Sequence, residues 1–193
     1  MQLTANKPGF WSVPMTGRGI LKARGVLVAM FALATCALWT AASFSTKPPK
    51  ENKLIENFQD HRAAYERIRE MLLADRSVRA VYTRFGVETG DSGLPHKPGE
   101  LSFPVSRYND YVALLKQVGS NAAFRSEGDH PELVCVGAWG AGWAGNTRHV
   151  WICSADRKPA NEVRSLDDYY RNPQRQRNAF RRIEGDWYLR ADW

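Results

Sequence analysis

The hydrophobic pattern that follows the first 44 residues predicts an α+β domain with two main helices. From Glu51 to Ala74, apolar side chains recur every three or four positions with charged ones between them, which predicts one long amphipathic helix. A second helix is predicted from Ser106, a residue type that caps helices, to about Val118. The polar segment Asp156–Gln176 predicts a loop, with one helical turn at Leu166–Tyr170.

Short stretches rich in β-branched and aromatic residues predict about five or six antiparallel strands against these helices. Six stretches supply them: Val78–Phe85, Ala122–Arg125, Glu132–Trp139, His149–Ala155 and a final pair, Ala179–Ile183 and Trp187–Trp193. Leu101–Val105 is a further candidate for a short strand, limited by Pro104. Residues 90–100, rich in Gly and Pro, predict a surface loop, and Glu184–Asp186 predicts the turn of the last hairpin.

An uncharged apolar run, Gly25–Phe44, predicts one transmembrane helix before this domain. A helix of this length, at about 1.5 Å per residue, crosses a hydrocarbon core of about 30 Å. The residues before the run carry basic and no acidic side chains, so the positive-inside rule keeps that end in the cytoplasm. We therefore expect a cytoplasmic segment 1–24, a signal anchor 25–44, a linker 45–53 and a globular domain 54–193. The chain would be single-pass in the inner (plasma) membrane, with this domain exported to the periplasmic or extracellular side.

Two other fates of the apolar run stay open in the sequence. Thr40-Ala41-Ala42 offers small residues for cleavage of a signal peptide, although the run is long for one. Leu33–Cys36 resembles a lipidation motif, but the simpler interpretation is that Cys36 is a small membrane-buried residue. Met15 is an alternative start that would leave a short basic leader.

The distribution of charge argues against nucleic acid as a partner. The formal net charge is +7, and the four basic residues before the apolar run leave about +3 for the exported domain. A nucleic-acid-binding domain usually carries a concentrated basic surface. The arginines between Arg171 and Arg182 predict a solvated basic loop, with anionic lipid or an acidic partner as the alternative contact.

Cys135 and Cys153 predict a disulfide in the central hairpin, since export would place them in an oxidising compartment. A hairpin symmetric about Ala144 sets the two cysteines directly opposite each other, at a separation that suits a disulfide. The same register predicts Val136–Ile152 and Ala138–Val150 on one face, and Gly137–Trp151 and Trp139–His149 on the other.

The glycine-rich connection of this hairpin, Gly140–Gly145, has the form GxGxxG. A dinucleotide site needs a helix directly after the glycines, and here a strand is predicted, so we expect a flexible hairpin loop and no cofactor. Aromatic and basic residues around the loop predict an exposed patch that binds a partner. They are Trp139, Trp143, Arg148, His149 and Trp151. The alternative is that the tryptophans are buried against the first helix.

Motifs for catalysis or metal binding are missing from the sequence. The histidines His61, His96, His130 and His149 are scattered and lack the spacing of a metal site. GxSxG and SxxK motifs do not occur, and the acidic pairs Asp167–Asp168 and Glu184 with Asp186 fit turn and cap roles. We therefore expect no catalytic residues, cofactor or metal.

The ending Phe180–Leu189 resembles the last hairpin of NTF2-like cone domains, which combine long N-terminal helices with a curved sheet. This resemblance implies a pocket for a small ligand as one alternative function. The main expectation is a membrane-anchored, exported domain that binds an envelope protein partner without catalysis. An enzyme whose catalytic residues lie far apart in sequence is the other alternative.

Overall fold

Seven antiparallel strands form one sheet in the part of the chain that the structure describes. The computed structural model describes residues 47–90, 93–100, 103–126, 132–143, 146–171 and 178–192. The strands are β1 (Val78–Tyr82), β2 (Gly86–Thr89), β3 (Ala122–Ser126), β4 (Leu133–Trp143), β5 (Asn146–Ala155), β6 (Asn178–Glu184) and β7 (Trp187–Asp192). Their order across the sheet is β2-β1-β3-β4-β5-β7-β6.

Within the described ranges, four helices accompany the sheet: α1 (Glu51–Asp60), α2 (Arg62–Ala74), α3 (Val105–Gln117) and the single turn α4 (Leu166–Tyr169). The predicted α+β class with an antiparallel sheet is thus confirmed. The predicted number of strands was too low, because the stretch predicted as one strand from Val78 to Phe85 ends in a turn and a further strand follows it.

The predicted single helix Glu51–Ala74 is two helices, because His61 leaves helical geometry (φ −119°, ψ 21°). On either side of this break, the rings of Phe58 and Tyr65 have centroids 5.5 Å apart, and both contact Trp187 at 5.1 and 6.1 Å. Residues seven apart are separated by about 10 Å along a straight helix. The bend therefore turns both rings onto one buried tryptophan.

The main hydrophobic core lies between the helices and one face of the sheet. It contains apolar residues of α1, α2 and α3 together with alternate residues of the central strands, among them Leu54, Ile68, Leu72, Leu115, Val134, Val136, Ile152 and Leu189. Full burial of one such side chain contributes about 1.5–3 kcal/mol. The opposite face holds a smaller cluster of Leu133, Cys135, Cys153, Ala155, Phe180 and Tyr188. This division follows from the two-residue period of a strand.

Ion pairs connect α2 to the turn between β6 and β7. The Arg62 guanidinium lies 2.6 Å from the Glu184 carboxylate, and the Arg69 guanidinium lies 2.7 Å from the Asp186 carboxylate. Gly185 between the two acids adopts φ +52°, a conformation that glycine accepts at little cost. Glu184 and Asp186 thus mark the predicted turn, and their carboxylates connect it to the helix layer.

Asp75, just after α2, connects α2 to α3. Its Oδ2 accepts hydrogen bonds from Arg107 Nε at 2.8 Å and from the Tyr111 hydroxyl at 2.9 Å. Burial and the Asp75 carboxylate raise the pKa of Tyr111, so its phenol remains protonated and donates to Asp75. This contact holds the C-terminal end of α2 against the middle of α3.

The predicted strand Val78–Phe85 was wrong in its second half, since the chain turns at residues 83–85 into β2. Gly86 follows the turn with φ +102°, and a Cβ atom there would lie 1.9 Å from the carbonyl oxygen of His96. Glycine is therefore required where the loop crosses the start of β2. A hydrophobic pattern alone does not reveal this requirement.

The predicted strand Leu101–Val105 was also wrong in its described part. Phe103 and Pro104 have no regular structure, and Val105 already begins α3. Residues 101–102 lie outside the described residues. Pro104, with φ −62°, takes the position before the first helical residue, where a missing N–H costs nothing. The cap predicted at Ser106 is therefore also wrong, since the cap position is Pro104, two residues earlier.

The predicted disulfide between Cys135 and Cys153 is confirmed, with a Cα–Cα distance of 4.0 Å. The two cysteines are register partners in the hairpin of β4 and β5. The predicted pairs Val136–Ile152 and Gly137–Trp151 are confirmed as well. Both sulfur-bearing residues are fully buried in the smaller cluster on the face opposite the helices.

The predicted register was wrong beyond Gly137, where a β-bulge shifts β4 by one residue. Trp139 therefore pairs with Val150, and Gly140 pairs with His149. The predicted loop Gly140–Gly145 was wrong too, because β4 continues to Trp143 and β5 begins at Asn146. Residues 144–145 lie outside the described residues.

Predictions for the N-terminal part of the chain fall outside the described residues. These are the cytoplasmic segment 1–24, the transmembrane helix 25–44 and the first two residues of the linker. None of the helices in the described ranges is long and apolar enough to span a bilayer. Residues Ser45–Trp193 form one compact unit, and α1 begins at Glu51, so helical structure starts inside the predicted linker 45–53.

Candidate functional site

The hairpin of β4 and β5 extends beyond the strands on both of its sides. The described pairing of β3 with β4 stops at Ala123–Val136, and that of β7 with β5 stops at Asp192–His149. Beyond these pairs, β4 and β5 continue together to Trp143 and Asn146. The end of the hairpin thus projects from the sheet next to the turn that joins α3 to β3.

A groove of about 330 Å³ lies between the base of this hairpin and the turn before β3. Its wall on the hairpin side includes Trp139, His149 and Trp151, and its other wall includes Tyr82 and Asn121. We call this concavity, defined by these five residues, the hairpin groove. Concave, largely aromatic surfaces with a few polar groups are typical of binding sites.

Two glycines of β4 make room for the ring side chains of β5. A Cβ atom at Gly140 would lie 2.9 Å from Cδ2 of His149, and one at Gly137 would lie 3.2 Å from Cζ3 of Trp151. Distances this short do not occur or are rare for real Cβ atoms. The rings of His149 and Trp151 therefore lie directly over the glycine backbone, with centroids 5.4 Å apart and planes inclined by 38°.

Trp151 is held in place by contacts on the sheet face. Its indole Nε1 donates a hydrogen bond to Asp192 Oδ2 at 3.1 Å, and its ring meets the edge of Phe124 at a centroid distance of 4.8 Å. The other carboxylate oxygen of Asp192 accepts a hydrogen bond from Arg190 Nε at 2.8 Å. The ring of His149 thus packs on an indole whose orientation is fixed by its neighbours.

The Tyr82 hydroxyl on the opposite wall of the groove is a hydrogen-bond donor. It donates to Glu88 Oε2 at 3.2 Å. Burial, followed by the negative charge of Glu88, raises the pKa of Tyr82. The phenol therefore stays neutral near pH 7 and keeps its proton for the hydrogen bond to Glu88.

The structure brings together three of the five residues predicted to bind a partner: Trp139, His149 and Trp151. Arg148 lies next to them on β5 and is half-buried, and Trp143 belongs to β4, but the position of its side chain lies outside the described residues. Trp139 is half-buried, packs against the main core and also belongs to the lining of the groove. Their role in binding stays a prediction.

Tyr82 and Asn121 are the groove residues that sequence reasoning missed. They come from the end of β1 and from the turn before β3, and pairing of Tyr82 with Ala122 brings them together. Neither residue belongs to a motif in the sequence, since Tyr82 lies in a predicted strand and Asn121 in a predicted turn. Finding them required the strand order, which the sequence analysis did not predict.

Acidic and histidine residues do not gather into a metal site within the described residues. Groups of three or more His, Cys, Asp or Glu side chains able to hold an ion are absent from these ranges. Asp167 accepts a hydrogen bond from the backbone N–H of Glu51 at 3.3 Å, and Ser165 accepts one from the N–H of Asp168. The Asp167–Asp168 pair thus belongs to the short helix α4 and its contact with α1.

No family model, curated protein or solved structure matches this chain.

Proposed function

We propose that the domain binds a protein partner through the projecting end of the β4–β5 hairpin and the hairpin groove, without catalysis. The observation that carries this proposal is the extension of the hairpin past β3 and β7, beside a groove lined by Trp139 and His149. Tryptophan, tyrosine and arginine are enriched among the residues that dominate binding energy. Because the disulfide fixes the base of the hairpin, little conformational entropy is lost there on binding.

We propose further that the domain is exported and held at the outer side of an inner membrane, where an envelope protein is the partner. The apolar run 25–44 and the basic residues before it support this location. The buried disulfide supports it as well, since disulfides persist in oxidising compartments. The test is alkylation of protein denatured directly from cells, because both cysteines are buried in the fold. Peptide mapping follows Cys135 and Cys153 separately from Cys36. We expect Cys135 and Cys153 to react only after reduction, and their reaction without reduction would contradict export.

The partner-binding surface can be tested by photo-crosslinking in the native host. A photoreactive amino acid replaces Thr147, which is exposed on the hairpin, and a matched variant carries it at Gln59, which is exposed on α1. We expect one covalent adduct of defined mass from position 147 and none from position 59. The same adducts from both positions, or none from either, would argue against the hairpin as the binding surface.

A small ligand in the hairpin groove is the second candidate function. The volume of about 330 Å³ and the aromatic walls favour it, as does the pocket implied by the resemblance to NTF2-like domains. A ligand of this kind would appear in native mass spectrometry as an added mass of a few hundred daltons. The variant His149→Ala should lose this mass, whereas the exposed control Gln59→Ala should keep it.

A further inference from the structure

A second concavity, of about 440 Å³, opens beside the outer edge of β6. It is lined by Lys158, Glu162, Val163, Arg164 and Arg181. This volume is within the range of about 300–1,000 Å³ that is usual for ligand sites. Three of the five side chains are cationic and one is acidic, so the lining carries two net positive charges.

A backbone bridge fixes the position of this lining. The N–H of Phe180 donates to the carbonyl oxygen of Asn161 at 2.9 Å, and the N–H of Val163 donates to the carbonyl oxygen of Phe180 at 2.7 Å. These bonds make Glu162 a parallel bridge partner of Phe180. Because neighbouring strand residues face opposite sides, Phe180 enters the smaller cluster while Arg181 faces the concavity.

The cations that line this concavity are only partly neutralised. Lys158 pairs with Glu162 at 2.9 Å, which accounts for the single acid of the lining. Arg164 and Arg181 form no ion pair with the residues that the structure describes. Arg181 Nη1 donates to the carbonyl oxygen of Arg182, and its Nε is shielded from solvent without an acceptor in the described ranges. The Arg181 guanidinium thus has a fixed contact with the Arg182 carbonyl and no acidic partner among the described residues.

We propose that this concavity binds the phosphate group of a small phosphorylated molecule or of a lipid headgroup. The planar donor fork of arginine matches two oxygens of a phosphate group, and such charge-assisted hydrogen bonds are stronger than neutral ones. Arg164 supplies one fork, Arg181 supplies the Nη donors that its contact with the Arg182 carbonyl leaves available, and Lys158 supplies a further donor. A phosphate with two negative charges neutralises the net charge of the lining. This site shares no lining residue with the hairpin groove, so its test does not depend on the function proposed for the groove.

Titration of the ¹⁵N-labelled full chain with inorganic phosphate tests this proposal. Ionic strength is held constant with chloride, and amide chemical shifts are followed. We expect a saturable shift of residues 161–164 and 180–182 that chloride does not produce. The double variant Arg164→Gln/Arg181→Gln is expected to weaken phosphate binding at least tenfold. Arg164→Gln alone, at an exposed position that folding tolerates, is expected to weaken it at least threefold.

The matched control is Arg67→Gln, which removes one positive charge from an exposed pair with Glu70 on α2. It should leave the phosphate affinity within twofold of the wild type. Equal, non-saturating shifts with phosphate and chloride, or unchanged affinity in the Arg164 variants, would overturn the proposal. A titration with the short-chain lipid dihexanoyl phosphatidylglycerol distinguishes a lipid headgroup from a soluble phosphorylated molecule as the ligand. Tighter binding than inorganic phosphate assigns the site to a lipid headgroup, and weaker binding assigns it to a soluble phosphorylated molecule.

Discussion

Loss of the Cys135–Cys153 disulfide should destabilise the domain by an amount that the hairpin geometry defines. The bonded cysteines are 18 residues apart in sequence. In the chain-entropy model, a cross-link that closes a loop of this length contributes about 3 kcal/mol to the free energy of unfolding. At about 2–4 °C for each kcal/mol in a chain of this size, reduction should lower Tm by about 6–12 °C.

Replacement of both cysteines by alanine removes buried sulfur atoms from the core in addition to the disulfide bond. Both cysteines are 0% exposed and belong to the cluster that contains Phe180 and Tyr188. Removal of each buried sulfur atom should cost about another 1 kcal/mol. The double variant Cys135→Ala/Cys153→Ala is therefore expected to be about 5 kcal/mol less stable than the oxidised wild type, and reduction alone should account for about 3 kcal/mol of this difference.

Urea unfolding with and without a reducing phosphine separates the two effects. Reduction is carried out on the unfolded chain and followed by refolding, because the buried bond is protected in the native state. The reduced wild type should lose about 3 kcal/mol, while the double variant should not respond to the phosphine. The reasoning would be refuted by equal sensitivity of both proteins, or by a reduced wild type as stable as the oxidised one.

Three further outcomes follow from contacts elsewhere in the fold. Gly86→Ala should lower the free energy of unfolding, measured in urea, by more than about 2 kcal/mol, because its Cβ would meet the carbonyl oxygen of His96. The control Gly93→Ala, which also has a positive φ but lies in open space, should lower it by about 1 kcal/mol. Asp75→Ala should lower the free energy of unfolding by about 2–3 kcal/mol, because the Arg107 guanidinium and the buried Tyr111 phenol lose their acceptor. The control Asp110→Ala, at an exposed position on α3, should lower it by less than about 0.5 kcal/mol. Equal losses in the two variants would contradict the role of Asp75 as the link between α2 and α3. Burial raises the tyrosine pKa at Tyr111 from the ordinary value of 10.0, so the unfolded state ionises first and stability should fall as pH rises above about 10. Absorbance at 295 nm should report this ionisation together with unfolding, and Tyr111→Phe should show a shallower loss above pH 10.

The helices and the middle of the central hairpin were predictable because their signals are local. Apolar spacing identifies α1, α2 and α3, and the two-residue period of strands places Cys135 opposite Cys153 once a symmetric hairpin is assumed. The break at His61 was not predictable, because the apolar spacing continues across it. Trp187, which is more than 120 residues later in the chain, contacts the helices on both sides of the break, and such a long-range contact is not visible in the local pattern.

The hairpin side of the groove was predictable from the sequence, whereas the other side depends on the order of the strands in the sheet. Trp139, His149 and Trp151 occur on one hairpin, and the pattern of that hairpin indicates that they lie close together. Tyr82 and Asn121 join them because β1 and β3 are neighbours and end beside the hairpin. Such neighbours depend on long-range pairing, which local sequence patterns do not encode.

The bulge after Gly137 is the feature on which the groove depends most. In the symmetric register, Trp139 would stand directly opposite His149, and two large rings would share one face of the hairpin. The extra residue in β4 turns Trp139 to the other face, opposite Val150, and places Gly140 opposite His149. Since a Cβ at Gly140 would lie 2.9 Å from the imidazole, only glycine lets this ring lie over β4. The bulge and the glycine therefore act together, because the first removes an indole from the space that the imidazole occupies and the second removes a Cβ. Bulges are frequent next to functional sites, where they redirect a side chain, and this one separates Trp139 from His149 and Trp151 across the two faces of the hairpin.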